Sequence, residues 1–394
     1  MNKKRQLNIL YANIGRGHPY YLDGVIESTQ TKYSDQIHLN IIDVFAPSRG
    51  LSLKLWCLVR WLYRIGSQGG ITGRLYGAIR KGRNPGRYGL LEKCLGRDIR
   101  KYLKKEKCPT LVAHPILIPM ISDIVDVYYQ HGEIAVPDEA VVKGPRNTFV
   151  PLLISKDKFF RAGSPEINIK VTGLCIENQL AEKASTYFER RLSRIKEGSR
   201  LCGGFFSSGA EPHQHIDKII LALDSLRKNG GQACVFCKKD GNLEKAISNR
   251  LKVRIIDNLN QAENIGGLLE SENILAISYG SRKEENICTL HLFGFLDYFV
   301  APSHERTNWA VGLGLPMFIL HPVIGTFSPL NREFLLKEGV AVDLDIDHKA
   351  INFADMLSGL VNDGSLLKMA QNGHDKFDIN GFDTVADYLK DELI

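Results

Sequence analysis

The stretch ILYANIGRGHPYYLDGV, residues 9–25, decides the fold. Its first residues are an apolar run of strand type. Gly15, Arg16, Gly17 and His18 interrupt that run, and residues 18–33 then read as a helix. Glycine lets a backbone turn tightly or approach another group closely. Histidine is the side chain most readily tuned to move protons near neutral pH. Both stand where a buried strand hands over to a helix, which in an open parallel sheet is the place where ligands bind.

The same alternation continues outward. IHLNIID (37–43), PTLVAH (109–114), DIVDVYY (123–129), NTFVPLL and NIKVTGL read as strands. Residues 177–199 have helical periodicity and end at Gly198. The pattern then restarts with RLCGGFFSSGAEP (200–212), followed by the strands QACVFCK, KVRIID, NILAISY, LDYFVAP and MFILHP. Two strand–helix series, each opening on a strand and a small-residue turn, predict two Rossmann-like α/β domains. The expected division is residues 1–175, residues 176–375, and a helix over 376–394 that packs back on the first domain.

The 394 residues suffice for two domains of ordinary size, and 44% hydrophobic with 24% charged residues is a globular balance. No apolar run approaches the length of a membrane span. The opening MNKKRQLNILYANIG is basic then apolar, but its apolar run is too short for a signal peptide, so it reads as the first core strand. The eight cysteines are scattered, as free thiols of a reducing cytoplasm would be. Cys234 and Cys237 form a CxxC without a second ligand pair, which makes them strand residues rather than a zinc or redox site. His213 and His215 would join them only if the fold brought them close.

The net charge of +7 is concentrated in residues 49–107, where sixteen lysines and arginines face only Glu92, Asp98 and Glu106. Within residues 51–89, Trp56, Trp61, Tyr63 and Tyr76 are interleaved with basic residues. Such a segment suits an anionic bilayer surface, and equally a core helix with a solvated basic face. No nucleic-acid-binding motif accompanies it.

Two further turns carry candidate chemistry. Ser207, Ser208 and Gly209 end a strand and precede a helix that Pro212 opens, an arrangement that favours an anion. It is not a Walker motif, and GRGHPY lacks the third glycine of the dinucleotide fingerprint. In APSHERTNWAVGLGLPMFILHPVIGTFSPLN (301–331) a helix is expected to begin near Ser303 or His304 and to end at Gly314 and Pro316. Two polar strand-end loops about twenty residues apart suit a sugar-nucleotide.

Taken together, these motifs resemble two-domain GT-B glycosyltransferases. Most similar is the group that contains the bacterial N-acetylglucosaminyltransferase of peptidoglycan lipid synthesis and the diacylglycerol glycosyltransferases. The matching pieces are YANIGRGH, the His-Pro of LVAHP (111–115), Val171-Thr172-Gly173, FFSSGA, and GLGLPMFILHPVIGTFSPLN. The chain departs from the group at the donor site. Slots usually held by Gly, Gly, Thr and Glu hold Ser303, His304, Arg306 and Trp309. Glu305 is the nearest carboxylate, Thr326 and Phe327 replace the usual Gln and Glu, and Asn331 falls one residue late.

The resemblance implies a GT-B fold with two domains facing across a cleft. It implies sugar transfer from a nucleotide-diphosphate donor, expected to be a UDP-sugar, to the hydroxyl of a membrane lipid. The reaction is expected to be inverting and metal-independent, with no cofactor beyond the donor. His18 is the first candidate base and His114 the second. Gly15, Gly17, Ser207, Ser208, Gly209, His304, Glu305, Arg306, Thr326 and Asn331 are the candidate donor-binding residues. Lipid or anionic membrane would meet residues 51–89, on a cytoplasmic protein peripheral to the inner face of the membrane. Two rival expectations are a sugar-nucleotide epimerase and a non-catalytic scaffold that binds lipid or protein.

Overall fold

The computed structural model describes residues 4–68, 89–257 and 265–394. The chain forms two compact units: Met1–Asn178 with Phe377–Ile394, and Gln179–Lys376.

The first unit is built on six strands: β1 (Arg5–Tyr11), β2 (Ile37–Asp43), β3 (Thr110–Val112), β4 (Val127–Gln130), β5 (Asn147–Val150) and β6 (Ile169–Val171). Their order is β2-β1-β3-β4-β5-β6, and every pairing is parallel. Parallel neighbours cannot be joined by a hairpin, so each connection crosses back over a face of the sheet. Leu7, Ile9 and Leu10 of β1 are buried, as a central strand with both faces covered requires. The helix Gly17–Tyr33 packs against the helix Gly381–Leu393 through Tyr20, Tyr21, Val25, Phe382, Val385 and Leu389. Polar contacts fasten the pair: the Tyr33 hydroxyl donates to Asp387 at 2.6 Å, and Asn178 Nδ2 donates to Asp383 Oδ1 at 2.8 Å.

The second unit carries seven strands: β7 (Cys202–Phe206), β8 (Gln232–Lys238), β9 (Arg254–Ile256), β10 (Ile274–Tyr279), β11 (Tyr298–Ala301), β12 (Met317–Leu320) and β13 (Ala341–Leu344). The order is β13-β12-β11-β7-β8-β10-β9, again all parallel. β7 is central and wholly buried. A Cβ on Gly203 would lie 2.4 Å from the Tyr298 ring, so glycine there makes room for the neighbouring strand's aromatic.

Several expectations are adjusted. β13 follows Gly339, which closes the preceding helix in a left-handed conformation at φ 65°; a four-residue strand was not read there. The helix expected over 177–199 is broken at Lys183 into Asn178–Glu182 and Ala184–Lys196. The helix expected from Ser303 or His304 begins only at Thr307 and ends at Gly312. Cys234 and Cys237 both lie in β8 with buried side chains.

The helix Gly50–Gly66 has two faces. Trp56 is fully buried and its indole N–H donates to Leu95 O at 3.2 Å; Ser52 Oγ donates to the same carbonyl at 2.8 Å. The apolar–basic segment is thus partly core, because Trp56 fastens this helix to the helix Leu90–Glu106. Leu51, Leu58, Trp61 and Leu62 are exposed, and Lys54 lies on the same stripe. Tyr76 falls outside the described residues.

Between β4 and β5, His131 and Glu133 are buried. The Tyr129 hydroxyl donates to His131 Nδ1 at 3.2 Å, and His131 Nε2–H donates to Ala135 O at 3.1 Å. Burial pushes the His131 imidazole from 6.5 down to about 4, so it is neutral near pH 7.

Two tests follow from this packing. Trp56→Ala should cost about 3–5 kcal/mol in urea unfolding, whereas Trp61→Ala should stay within about 0.5 kcal/mol. Equal effects would contradict the two-faced helix. For His131 the unfolded state binds the extra proton between its ordinary pKa and the folded one. Its stabilising contribution is therefore full above pH 6.5 and is lost as pH falls to about 4. Replacement of His131 by Gln should flatten the pH dependence of stability over that range; an unchanged slope would refute the buried neutral ring.

Candidate functional site

In each sheet the chain leaves the first strand toward one side and later returns to pair on its other side. In the first unit this reversal lies between β1 and β3, and in the second between β7 and β11. At such a reversal the two following loops diverge and leave a crevice at the carboxyl ends of the strands.

At the first crevice the loop after β1 carries Gly15, Arg16, Gly17 and His18, and the loop after β3 carries His114. The structure brings the two histidines together, with ring centroids 4.5 Å apart and planes tilted by 48°. His114 caps the turn Pro115–Leu117, where its Nδ1 accepts the Ile116 backbone N–H at 3.2 Å. The neutral ring therefore carries its own proton on Nε2. His18 stands in the first turn of the helix Gly17–Tyr33. Gly15 has φ +76°, and a Cβ there would meet the Tyr63 hydroxyl at 2.5 Å. The close approach that this glycine permits is by Tyr63 of the same unit. Gly17 opens the helix, and Arg16 stacks on the Tyr20 ring at 5.4 Å.

At the second crevice three loops follow the adjacent strands β7, β11 and β12. Ser207, Ser208 and Gly209 precede the helix His213–Lys228, whose dipole at this end suits an anion. Ser303 is buried; its hydroxyl pairs with Ser328 Oγ at 2.7 Å, and its carbonyl accepts from Asn331 Nδ2 at 3.1 Å. Asn331 therefore holds the two loops in register. Thr326 stands at the start of the helix Phe327–Glu338.

Arg306 and Glu305 are both buried. Arg306 forms an ion pair with Glu285 of the helix Arg282–Leu292. Glu305 lies 3.4 Å from the same guanidinium, which also packs 4.2 Å over the Phe206 ring. The charge of Arg306 is spent inside the unit, where a buried cation needs a partner. Burial, the largest influence, lowers the His304 pKa, so this ring too is neutral near pH 7. Trp309 is packed among Phe206, Phe293 and Phe299. The 303–309 segment thus faces inward, and its side chains brace the loop.

Several buried polar atoms around this crevice have no hydrogen-bond partner among the described residues: Ser207 Oγ, His215 Nδ1, Thr307 Oγ1, Asn308 Oδ1 and Thr326 Oγ1. Buried polar groups are nearly always satisfied, and each exception costs about 1–3 kcal/mol. A polar crevice of about 360 Å³ in the same unit is lined by Gln214, Asp217, Lys218, His321, Pro322, Asp345 and Asp347. Among the described residues no group of three or more His, Cys, Asp or Glu is placed to hold a metal ion.

Three residues escaped the sequence reading. His215 was weighed only beside the CxxC, and Glu285 reads as an ordinary surface-helix glutamate. Arg191 is fully buried and donates to Leu296 O, Leu313 O and Gly314 O at 2.8–3.1 Å, which anchors the end of the Thr307–Gly312 helix. None belongs to a motif; only the fold assembles their partners.

No protein-family model matches the chain, and no match is found among curated proteins. Solved structures resemble it along its whole length. The UDP-GlcNAc 2-epimerase from Neisseria meningitidis bound to UDP-GlcNAc is 13% identical over 98% of this chain and 99% of that one, with a TM-score of 0.59. MnaA from S. aureus with UDP is 9% identical over 99% and 98%, with a TM-score of 0.58. MurG from Acinetobacter baumannii is 13% identical over 98% and 99%, with a TM-score of 0.51. With two parallel α/β units and these full-length likenesses, the chain has the GT-B fold.

Proposed function

We propose that this protein is a glycosyltransferase that moves a sugar from a nucleotide-diphosphate donor, a UDP-sugar, to the hydroxyl of a membrane lipid. The observation that carries the donor half is the set of unpartnered buried polar atoms at the second crevice, beside a helix start suited to an anion. The UDP and UDP-GlcNAc bound to two structures of the same fold agree with this choice.

In this reading His18 is the general base. It takes the proton of the acceptor hydroxyl as the acceptor oxygen bonds to the anomeric carbon and the bond from that carbon to the diphosphate breaks. His114 keeps its Nδ1 occupied by Ile116 N–H, so it orients and hydrogen-bonds rather than accepting the proton. The negative charge on the departing diphosphate is met by the dipole at the start of the helix His213–Lys228 and by the hydroxyls of Ser207, Ser208 and Thr326. The lipid half rests on the exposed Leu51, Leu58, Trp61 and Leu62 beside Lys54, a pairing of apolar and cationic groups suited to an anionic bilayer. Among the described residues no helix is long and apolar enough to cross a membrane. A second reading, a UDP-sugar epimerase, is favoured by the TM-score of 0.59 to the Neisseria meningitidis UDP-GlcNAc 2-epimerase, above the 0.51 to MurG. It needs the same donor seat and no lipid surface.

Titration with UDP and UDP-sugars tests the donor seat: saturable binding that is lost in Ser207→Trp is expected, and no binding to either would refute the proposal. Once turnover is found, His18→Ala should lower it by about 10²–10⁴-fold with donor affinity nearly unchanged. Undiminished turnover would remove His18 as the base. Inversion at a sugar carbon of UDP-GlcNAc without acceptor would decide for the epimerase. Leu58→Ser with Trp61→Ser should reduce sedimentation with phosphatidylglycerol vesicles; equal sedimentation would refute the membrane face.

A further inference from the structure

The loop that carries Ser207, Ser208 and Gly209 ends at Glu211, whose backbone is strained in two ways. Its φ is 48°, in the left-handed region that a non-glycine residue rarely adopts. Pro212 follows it, and the residue before a proline prefers extended backbone. Such strain persists only where the surroundings fix it, and it gathers at ligand clamps and active sites.

What fixes Glu211 is its side chain. The residue is buried, and Oε2 accepts the Asn242 backbone N–H at 2.6 Å. The Leu243 N–H is a second donor to the same carboxylate. These are the first two amides of the helix Asn242–Arg250, which follows β8, the strand beside β7. That helix begins after Gly241, which has no side chain to cap it, so Glu211 supplies the cap from another loop. A negative charge suits that end of the helix. A Cβ on Gly241 would lie 2.8 Å from both carboxylate oxygens, so glycine there leaves room for Glu211. The facing turn is strained as well: Asp240 has φ 58°, and its N–H donates to Glu244 at 2.7 Å. Burial raises the Glu211 pKa above its ordinary value, against the pull of the two amides and Lys238, and Glu244 adds repulsion. A serine or aspartate at position 241 would cap this helix locally, with neither a buried carboxylate nor a strained residue 211.

The backbone ties this cap to the donor loop. The Glu211 N–H donates to Ser208 O at 3.0 Å and closes the turn Ser208–Glu211. Fixing residue 211 therefore fixes Ser208, and Ser207 before it. Ser207 Oγ has no partner among the described residues, so its place is set by the backbone rather than by a bond of its own.

We propose that Glu211 is a positioning residue for the donor: its carboxylate, bound to the start of the helix Asn242–Arg250, holds the turn Ser208–Glu211 in the conformation that presents the hydroxyls of Ser207 and Ser208 to the diphosphate. The inference rests on the nucleotide-sugar reading. Glu211 acts through the loop, which it keeps ordered before the donor arrives, so that less ordering is left for the moment of binding.

The test is calorimetric titration of the full chain with UDP, with urea unfolding of each variant alongside. Glu211→Ala removes the carboxylate and keeps the strained backbone; UDP affinity is expected to fall about tenfold or more. Glu211→Gln keeps one acceptor oxygen and should lose about threefold. Glu211→Gly removes both the carboxylate and the strain, so it should be more stable than Glu211→Ala yet bind UDP no more tightly. A merely structural role would make affinity follow stability across the three. Saturable binding by the unaltered protein, with affinity unchanged in Glu211→Ala or restored in Glu211→Gly, overturns the inference and leaves the donor seat standing. No binding of UDP by the unaltered protein overturns the donor reading and this inference together. Should Glu211→Ala fail to fold, Gly241→Ala poses the same question from the neighbouring loop, since its Cβ must displace the carboxylate. UDP binding weaker by about tenfold is then expected, and unchanged affinity overturns the inference.

Discussion

Everything in this molecule follows from the pairing of strands in parallel. A parallel neighbour has to be reached by a crossing long enough to return the chain to the end from which it started. All strands of a sheet therefore finish at one edge, and all the loops that follow them gather there. Where the chain reverses its direction of travel across the sheet, two of those loops part. β1 with β3 and β7 with β11 are the two such places. The meeting of His18 and His114, ninety-six positions apart, is a result of that geometry; no local preference would bring them together.

The second unit spends charge in its interior to hold one loop. Removing the Arg306–Glu285 pair from water carries a desolvation penalty that the mutual attraction only partly offsets. The pair persists because packing surrounds it: Phe206 and Trp309 lie against the guanidinium, and Arg191 ties the end of the following helix to three carbonyls. The result is a loop braced from within, and Thr307 Oγ1 and Asn308 Oδ1 on it have no partner among the described residues.

Much of the fold was legible because buried parallel strands write themselves as apolar runs, and the small-residue turns after them punctuate the series. β2 and β8 were readable to the residue. β13 was not, since Ala341–Leu344 is short and only partly buried, so its sequence lacks the apolar contrast that marks a central strand. The site divided in the same way. His18, His114, Ser207 and Thr326 stand at strand or helix ends and announce themselves by position. The pairing of Arg306 was not legible, because a charged residue in a loop gives no sign of a carboxylate twenty-one positions earlier that will meet it. His215 was passed over because the chemistry of an imidazole is set by what each nitrogen touches, and Pro322 is far away in sequence. Trp56 showed both sides of the difficulty: the helix was foreseeable, while the face it would turn inward depended on Leu95.

The closing helix Gly381–Leu393 has a consequence for how the protein is made. It covers Tyr20, Tyr21 and Val25 of the helix after β1, and the body it completes is otherwise encoded before residue 179. During synthesis the first sheet emerges early but lacks its cover until nearly two hundred further residues have been added. The second unit is continuous in sequence and has no such wait. The nascent chain thus holds an exposed apolar strip throughout the translation of the second unit. That strip is a natural place for a chaperone to bind during synthesis, and a reason for the two bodies to reach their native state in the reverse of their order along the chain.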